Sequence, residues 1–102
     1  MIMTVIFDGK NYGLWERALR TALKSRNKLA FIEGKLTRLK DENDEGFLEA
    51  QAWDMVNSML CSWLLNVIDL KLQMNVAYSD TAKIMWDDLK KRYAMVNTPK
   101  IH

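Results

Sequence analysis

The sequence predicts an all-α fold of about four to five helices with a short extended segment at its N-terminus. Three observations predict it. Apolar side chains recur at intervals of three and four residues in three separate stretches, the period of helices that hide one face. The β-favouring run Val5-Ile6-Phe7 is only three residues long and meets a turn signal at Asp8-Gly9. The length of 102 residues, with no low-complexity stretch, fits a single domain over residues 1–102.

Taking the elements in order, residues 5–7 should be extended, and Asn11 can cap the helix that follows. In that helix Tyr12, Trp15, Leu19, Ala22 and Leu23 share one arc, whereas Arg17, Arg20, Lys24 and Lys28 fall on the opposite side. Leu29, Phe31 and Ile32 form an apolar cluster closed by Gly34, about one turn of helix or an irregular segment over the core. Residues 35–45 read as a charged connection without pattern, the longest mobile loop. The next helix should begin between Asp44 and Phe47, where acidic residues suit the positive end of the helix dipole, and end near Val67 or Ile68. Ala52, Trp53, Val56, Met59, Leu60, Trp63, Leu64 and Val67 cover more than a third of its circumference, and Met55, Cys61 and Leu65 lie outside that arc. A helix so apolar is either central or has two partners. Residues 70–76 permit a short helix, and Ser79 or Asp80 can cap the last one. There Ala82, Met85, Trp86, Leu89, Tyr93 and Val96 form a stripe, with Asp87–Lys91 and Asp88–Arg92 spaced for i,i+4 ion pairs. Asn97-Thr98-Pro99 breaks this helix, and residues 99–102 read as the first turn of a further one that the chain does not complete.

A domain of this size relies on a few large side chains, here Trp15, Trp53, Trp63 and Trp86. The expectation is that the tryptophans and tyrosines join helices in a dry interior. Base stacking needs aromatic faces among cations on one exposed surface, but on the first helix the two face apart. The basic stripe of Arg17, Arg20, Lys24 and Lys28 then reads as a solvated face, with weak contact to RNA or an acidic partner as the lesser alternative.

Charge is unevenly distributed although the net value is +2. Eight basic residues and the single acid Glu33 lie between positions 17 and 40, whereas Asp41, Glu42, Asp44, Glu45, Glu49 and Asp54 are unopposed from 41 to 54. Such polarity suits either solvated faces or head-to-tail association. Cys61 and Leu65 lie on the side of Asp54 and Ser58. They are either exposed contacts for another chain or are covered by the loop or a short helix. With Val5 and Ile6 they form the candidate self-association set.

Catalytic chemistry is not expected. The sole histidine is His102 at the chain end, and Cys61 has no basic helix neighbour to lower its pKa. Asp41-Glu42 and Asp87-Asp88 are adjacent pairs, which a helix points about 100° apart. Gly9, Gly13, Gly34 and Gly46 are too scattered for a phosphate-cradling loop. One cysteine and one histidine cannot build a zinc site or an internal disulfide, so no cofactor or metal is expected. The longest uncharged run, residues 55–68, falls short of the roughly 20 residues that cross a bilayer. A reducing compartment follows, and cytoplasmic localisation is the expectation.

Several segments together resemble the N-terminal part of Gag polyproteins from copia-type LTR retrotransposons, particularly those of plants. "FDGKNYGLWERALRTAL" carries Phe7, Gly9, Asn11, Tyr12, Trp15 and Leu23 in the family's opening pattern. "KLAFIEG", Ala52-Trp53, "NSMLCSWLLN", "TAKIMWDDLKKRY" and "NTPKIH" follow in order. The resemblance implies a compact orthogonal bundle like a capsid N-terminal lobe, which packs against copies of itself in a shell around the element's RNA. Gag proteins of this kind often carry a zinc knuckle for RNA, which one cysteine and one histidine cannot build here. Three functions compete: a self-associating capsid module; a domesticated interaction module that binds a peptide of a host or pathogen protein in an inter-helix groove; and a weak RNA binder.

Overall fold

The chain begins with a hook. Phe7 lies fully buried beside the far end of the longest helix, with its backbone N–H on the Val67 carbonyl at 2.8 Å and its own carbonyl taking the Asp69 N–H at 2.8 Å. The pair forms a parallel bridge between Phe7 and Ile68. The protein's structure, a computed structural model, describes residues 3–38 and 44–94. Within them the fold is all-α, with helices α1 (Tyr12–Ser25), α2 (Leu29–Ile32), α3 (Asp44–Asn66), α4 (Leu70–Gln73) and α5 (Ala82–Tyr93). The extended N-terminal segment expected at residues 5–7 is present and folds back on its own chain.

The entry to α1 differs from expectation. Asn11 stands at the N-cap position, but its side chain caps nothing in α1. Its amide donates to the Ile6 carbonyl (2.9 Å), and its Oδ1 accepts the Asp8 N–H (3.0 Å). Asp8 Oδ1 in turn accepts from the N–H groups of Lys10 (2.8 Å) and Asn11 (3.1 Å). The reciprocal arrangement, a capping box one turn early, fixes the angle between hook and helix. Gly9 supplies the positive φ of 92° that the turn needs.

Helices α1 and α2 end alike. After α1 the Lys28 N–H reaches the Leu23 carbonyl (2.8 Å) and the Asn27 N–H that of Lys24 (3.0 Å); after α2 Lys35 reaches Ala30 (3.0 Å) and Gly34 reaches Phe31 (3.3 Å). Both are Schellman motifs, with Asn27 (φ 58°) and Gly34 (φ 80°) at the left-handed position.

Phe7, Trp15, Leu19, Leu23, Ile32, Leu60, Leu64, Val76, Met85 and Leu89 form the core. At its centre the Phe7 ring meets Trp15 at 5.0 Å and, edge-on, Tyr12 at 6.0 Å and Tyr93 at 4.8 Å; Trp15 continues to Trp86 at 6.0 Å. Edge-to-face and offset rings at these separations contribute beyond their buried area. Trp15 and Trp86 thus occupy the dry interior expected of them. Trp53 and Trp63 are half-buried, and Ala52, expected on the buried arc, is exposed. The apolar arc was too wide because, of that set, α3 buries only Leu60 and Leu64, with Val67 buried just beyond its end.

Carbonyls at and just beyond the C-terminal end of α3, where the helical ladder runs out, take side-chain donors. Trp15 Nε1 reaches the Val67 carbonyl at 3.0 Å, sharing it with the Phe7 N–H, and Gln73 Nε2 spans the carbonyls of Leu65 (3.0 Å) and Ile68 (3.1 Å). Helix α4 is shorter than expected at four residues, and Asp69 caps it. Helix α5 is capped by Thr81, whose Oγ1 accepts the Ile84 N–H at 3.1 Å, rather than by Ser79 or Asp80. A side chain from α3 secures the same turn. Asn57, 8% exposed, donates to the Asp80 carbonyl at 3.0 Å and accepts the Ala82 N–H at 2.9 Å. Along α5 Asp88 pairs with Arg92 at 3.0 Å as expected, whereas Asp87 pairs with Lys83 on the preceding turn. Val96, the break at Asn97-Thr98-Pro99, the start of a further helix at 99–102 and the middle of the 35–45 connection lie outside the described residues.

Candidate functional site

Three surfaces could receive a partner. The first lies on the outer face of α1, where a depression of about 760 Å³ is lined by Glu16, Arg17, Arg20, Thr21, Lys24 and Leu29, among others. Arg17 and Lys24 are exposed there. Arg20 is engaged: its Nε donates to Glu16 Oε1 at 2.7 Å, its Nη1 lies 3.5 Å from Glu33 Oε2, and its guanidinium sits 6.0 Å from the Trp86 ring centre. The hydrogen bond to Glu16 raises its pKa further. Lys28, the fourth member of the stripe, is half-buried and lines a different surface. The fold therefore brings Arg17, Arg20 and Lys24 together and separates Lys28.

That second surface is an apolar cleft of about 300 Å³ between the α1–α2 region and α3, lined by Lys28, Phe31, Leu36, Glu49, Trp53 and Val56 with their neighbours. Phe31 and Trp53 form its floor, their ring centres 4.9 Å apart, and Trp53 Nε1 donates to the Leu36 carbonyl at 3.0 Å. Beside it Arg38 grips Asp54 with two bonds, Nε to Oδ1 at 2.9 Å and Nη2 to Oδ2 at 3.1 Å. These bonds hold the Asp54 carboxyl below the usual carboxylate range. The start of the charged connection is thus pinned to α3 by two side chains that its sequence did not single out.

The third is the candidate self-association set. Ile6 is 44% exposed, and Val5, Cys61 and Leu65 are half-buried against the core. Burial pushes the Cys61 thiol up, away from the thiolate a nucleophile needs. Larger exposed side chains lie elsewhere: Leu48 (70%) and Met55 (74%) on α3, and Leu70, Met74 and Tyr78 on and after α4. Sequence reasoning put Met55 outside the main arc but did not connect it with Leu48. Their seven-residue spacing was the available signal.

Among the described residues no cluster of three or more His, Cys, Asp or Glu could hold a metal ion, and no helix is long and apolar enough to cross a membrane. Neither the curated proteins nor the solved structures contain a match to the chain. Residues 1–38 match the family Gag-polypeptide of LTR copia-type, a family of structural rather than catalytic proteins. The matched stretch comprises the hook, α1 and α2, including Phe7, Tyr12 and Trp15 at the centre of the core. Over these residues the chain is similar to a copia-type Gag region.

Proposed function

We propose that the chain is a structural Gag module, one domain over residues 1–102, that self-associates in the cytoplasm and contributes to a capsid shell around the element's RNA. The family match over residues 1–38 carries this reading. Large apolar side chains left at the surface, Leu48, Met55, Leu70 and Met74, support it, because a shell needs repeated weak contacts rather than one strong one. In this reading RNA contact is non-specific and belongs to Arg17 and Lys24, since Arg20 already serves Glu16 and Glu33. Sedimentation velocity over a concentration series tests the proposal. The weight-average mass should rise with concentration, and a strict monomer throughout would overturn it.

The apolar cleft favours a second reading, a Gag-derived module that binds a partner's peptide. The cleft is preformed, has an aromatic floor, and carries Lys28 and Glu49 among its lining residues. A peptide in it should change Trp53 fluorescence in the wild type but not in Val56→Glu. An unchanged signal across amphipathic peptides would remove this reading.

A further inference from the structure

Helix α3 carries a second apolar stripe that the described residues leave largely uncovered. Leu48, Ala52, Met55 and Met59 follow one another at intervals of four, three and four residues, the spacing of a coiled-coil seam. At 3.6 residues per turn the stripe lies roughly 130° around the helix from Leu60 and Leu64, which face the core. Leu48 and Met55 are 70% and 74% exposed, Ala52 is exposed and Met59 is half-buried. The helix has two apolar faces, and the described fold occupies one.

We propose that this stripe pairs two copies of the chain, α3 against α3, antiparallel about a two-fold axis between positions 53 and 54. The proposal rests on the self-association reading above and narrows it to one face. In this register Leu48 meets the partner's Met59, and Ala52 meets the partner's Met55. A small residue thus stands opposite a long flexible one in both central layers, and the surface is complementary to itself, as a two-fold contact requires.

Charge selects the orientation. Asp44, Glu45 and Glu49 lie at the start of α3, and residues 55–68 carry no charge. A parallel pair would bring both acid-rich starts together, whereas the antiparallel pair sets each against the partner's uncharged stretch and opposes the helix dipoles. Each stripe already belongs to a formed helix, so little ordering cost attaches to pairing. The contact covers less than two heptads and on the order of 800 Å² in total, below the ~1,200 Å² at which specific interfaces become stable. It should be weak and populated only at high concentration.

The experiment is sedimentation velocity on the whole 102-residue chain from about 10 μM to about 1 mM, where such weak contacts populate. Wild type is compared with Met55→Glu, Leu48→Lys and, as a control on an exposed apolar side chain of another helix, Leu14→Glu on α1. Circular dichroism and thermal melts of each variant establish that it folds. The two stripe variants should weaken dimerisation at least about tenfold, or 1.4 kcal/mol, and the control should leave it unchanged. In a Cys61→Ala background, a mixture of Ala52→Cys and Met55→Cys chains should cross-link faster than either variant alone. Association that persists in folded Met55→Glu and Leu48→Lys would overturn the stripe but leave self-association standing through another face. Cross-linking fastest for Met55→Cys alone would overturn the antiparallel register. A wild type that stays monomeric would overturn both the stripe and the self-association reading.

Discussion

At the scale of single residues, Asn57 does what an interior helix position seldom does. Its carboxamide serves as donor to Asp80 and acceptor from Ala82, locking α3 to the first turn of α5. Asn57→Ala takes the side-chain partner from the buried Ala82 N–H and the part-buried Asp80 carbonyl, so chemical denaturation should show a loss of about 1–3 kcal/mol. Asn57→Asp keeps the acceptor and should lose less. Tyr12 offers a pH test. Desolvation by burial, and secondarily Glu16, push its pKa from 10.0 up to about 12. A raised acid pKa means that the neutral form suits the fold. Its stabilisation is therefore fully present below pH 10 and lost as pH rises through about 12. Ultraviolet titration should reveal a late-ionising tyrosine that vanishes in Tyr12→Phe, and alkaline melting should begin at higher pH in that variant. None of this was visible in sequence. An asparagine within an apolar helix is a candidate buried polar group, but which backbone it reaches depends on a chain reversal 23 residues later.

At the scale of elements, the periodic signal located α1, α3 and α5 within a few residues, because α1 and α5 each present one clean apolar face, whereas α2 and α4, at four residues each, are too short to show a period. The signal failed where local chemistry offered equivalent choices. Ser79, Asp80 and Thr81 can all cap, and it is Thr81 that does, on a turn that Asn57 also holds through the Asp80 carbonyl. Asn11 is a good cap by propensity, yet the hook captured its side chain. The width of the α3 face was misjudged for a related reason: apolar content alone does not distinguish a side covered by the chain from one left open. Gly34 was read correctly as a terminator, and its energetics can be tested. At φ 80° any side chain costs about 1–2 kcal/mol, while the Lys83 side chain that a new Cβ would strike can swing away. Gly34→Ala should therefore lower stability by about that amount in urea melts, and Asn27→Gly, at the matching position after α1, should be neutral or slightly stabilising.

For the molecule as a whole, the long axis of 55 Å against widths of 26 and 25 Å departs from a sphere. At 23 residues α3 is about 34 Å long, longer than either width, and Leu48 and Met55 along it are exposed. The candidate surfaces were legible only in part, since a basic stripe can be read along one helix but the Phe31–Trp53 cleft needs two elements and a connection. Integrity of the whole depends on the hook. Phe7 touches three aromatic rings from both ends of the chain, so Phe7→Ala should cost about 3–5 kcal/mol, much of the stability of so small a domain. Calorimetry should show the melting transition lost or greatly depressed. The family-matched stretch should likewise fail to fold alone, and residues 1–38 as a peptide should give a coil-like spectrum. The hook also orders events in time. Its seat is built from Val67, Ile68 and Asp69, and its ring closes against Tyr93, so at ~5–20 residues per second the ribosome needs several seconds to supply them. During that interval the hook carries an unshielded phenylalanine with nowhere to go, and nascent chains on neighbouring ribosomes have that time in which to exchange their hooks.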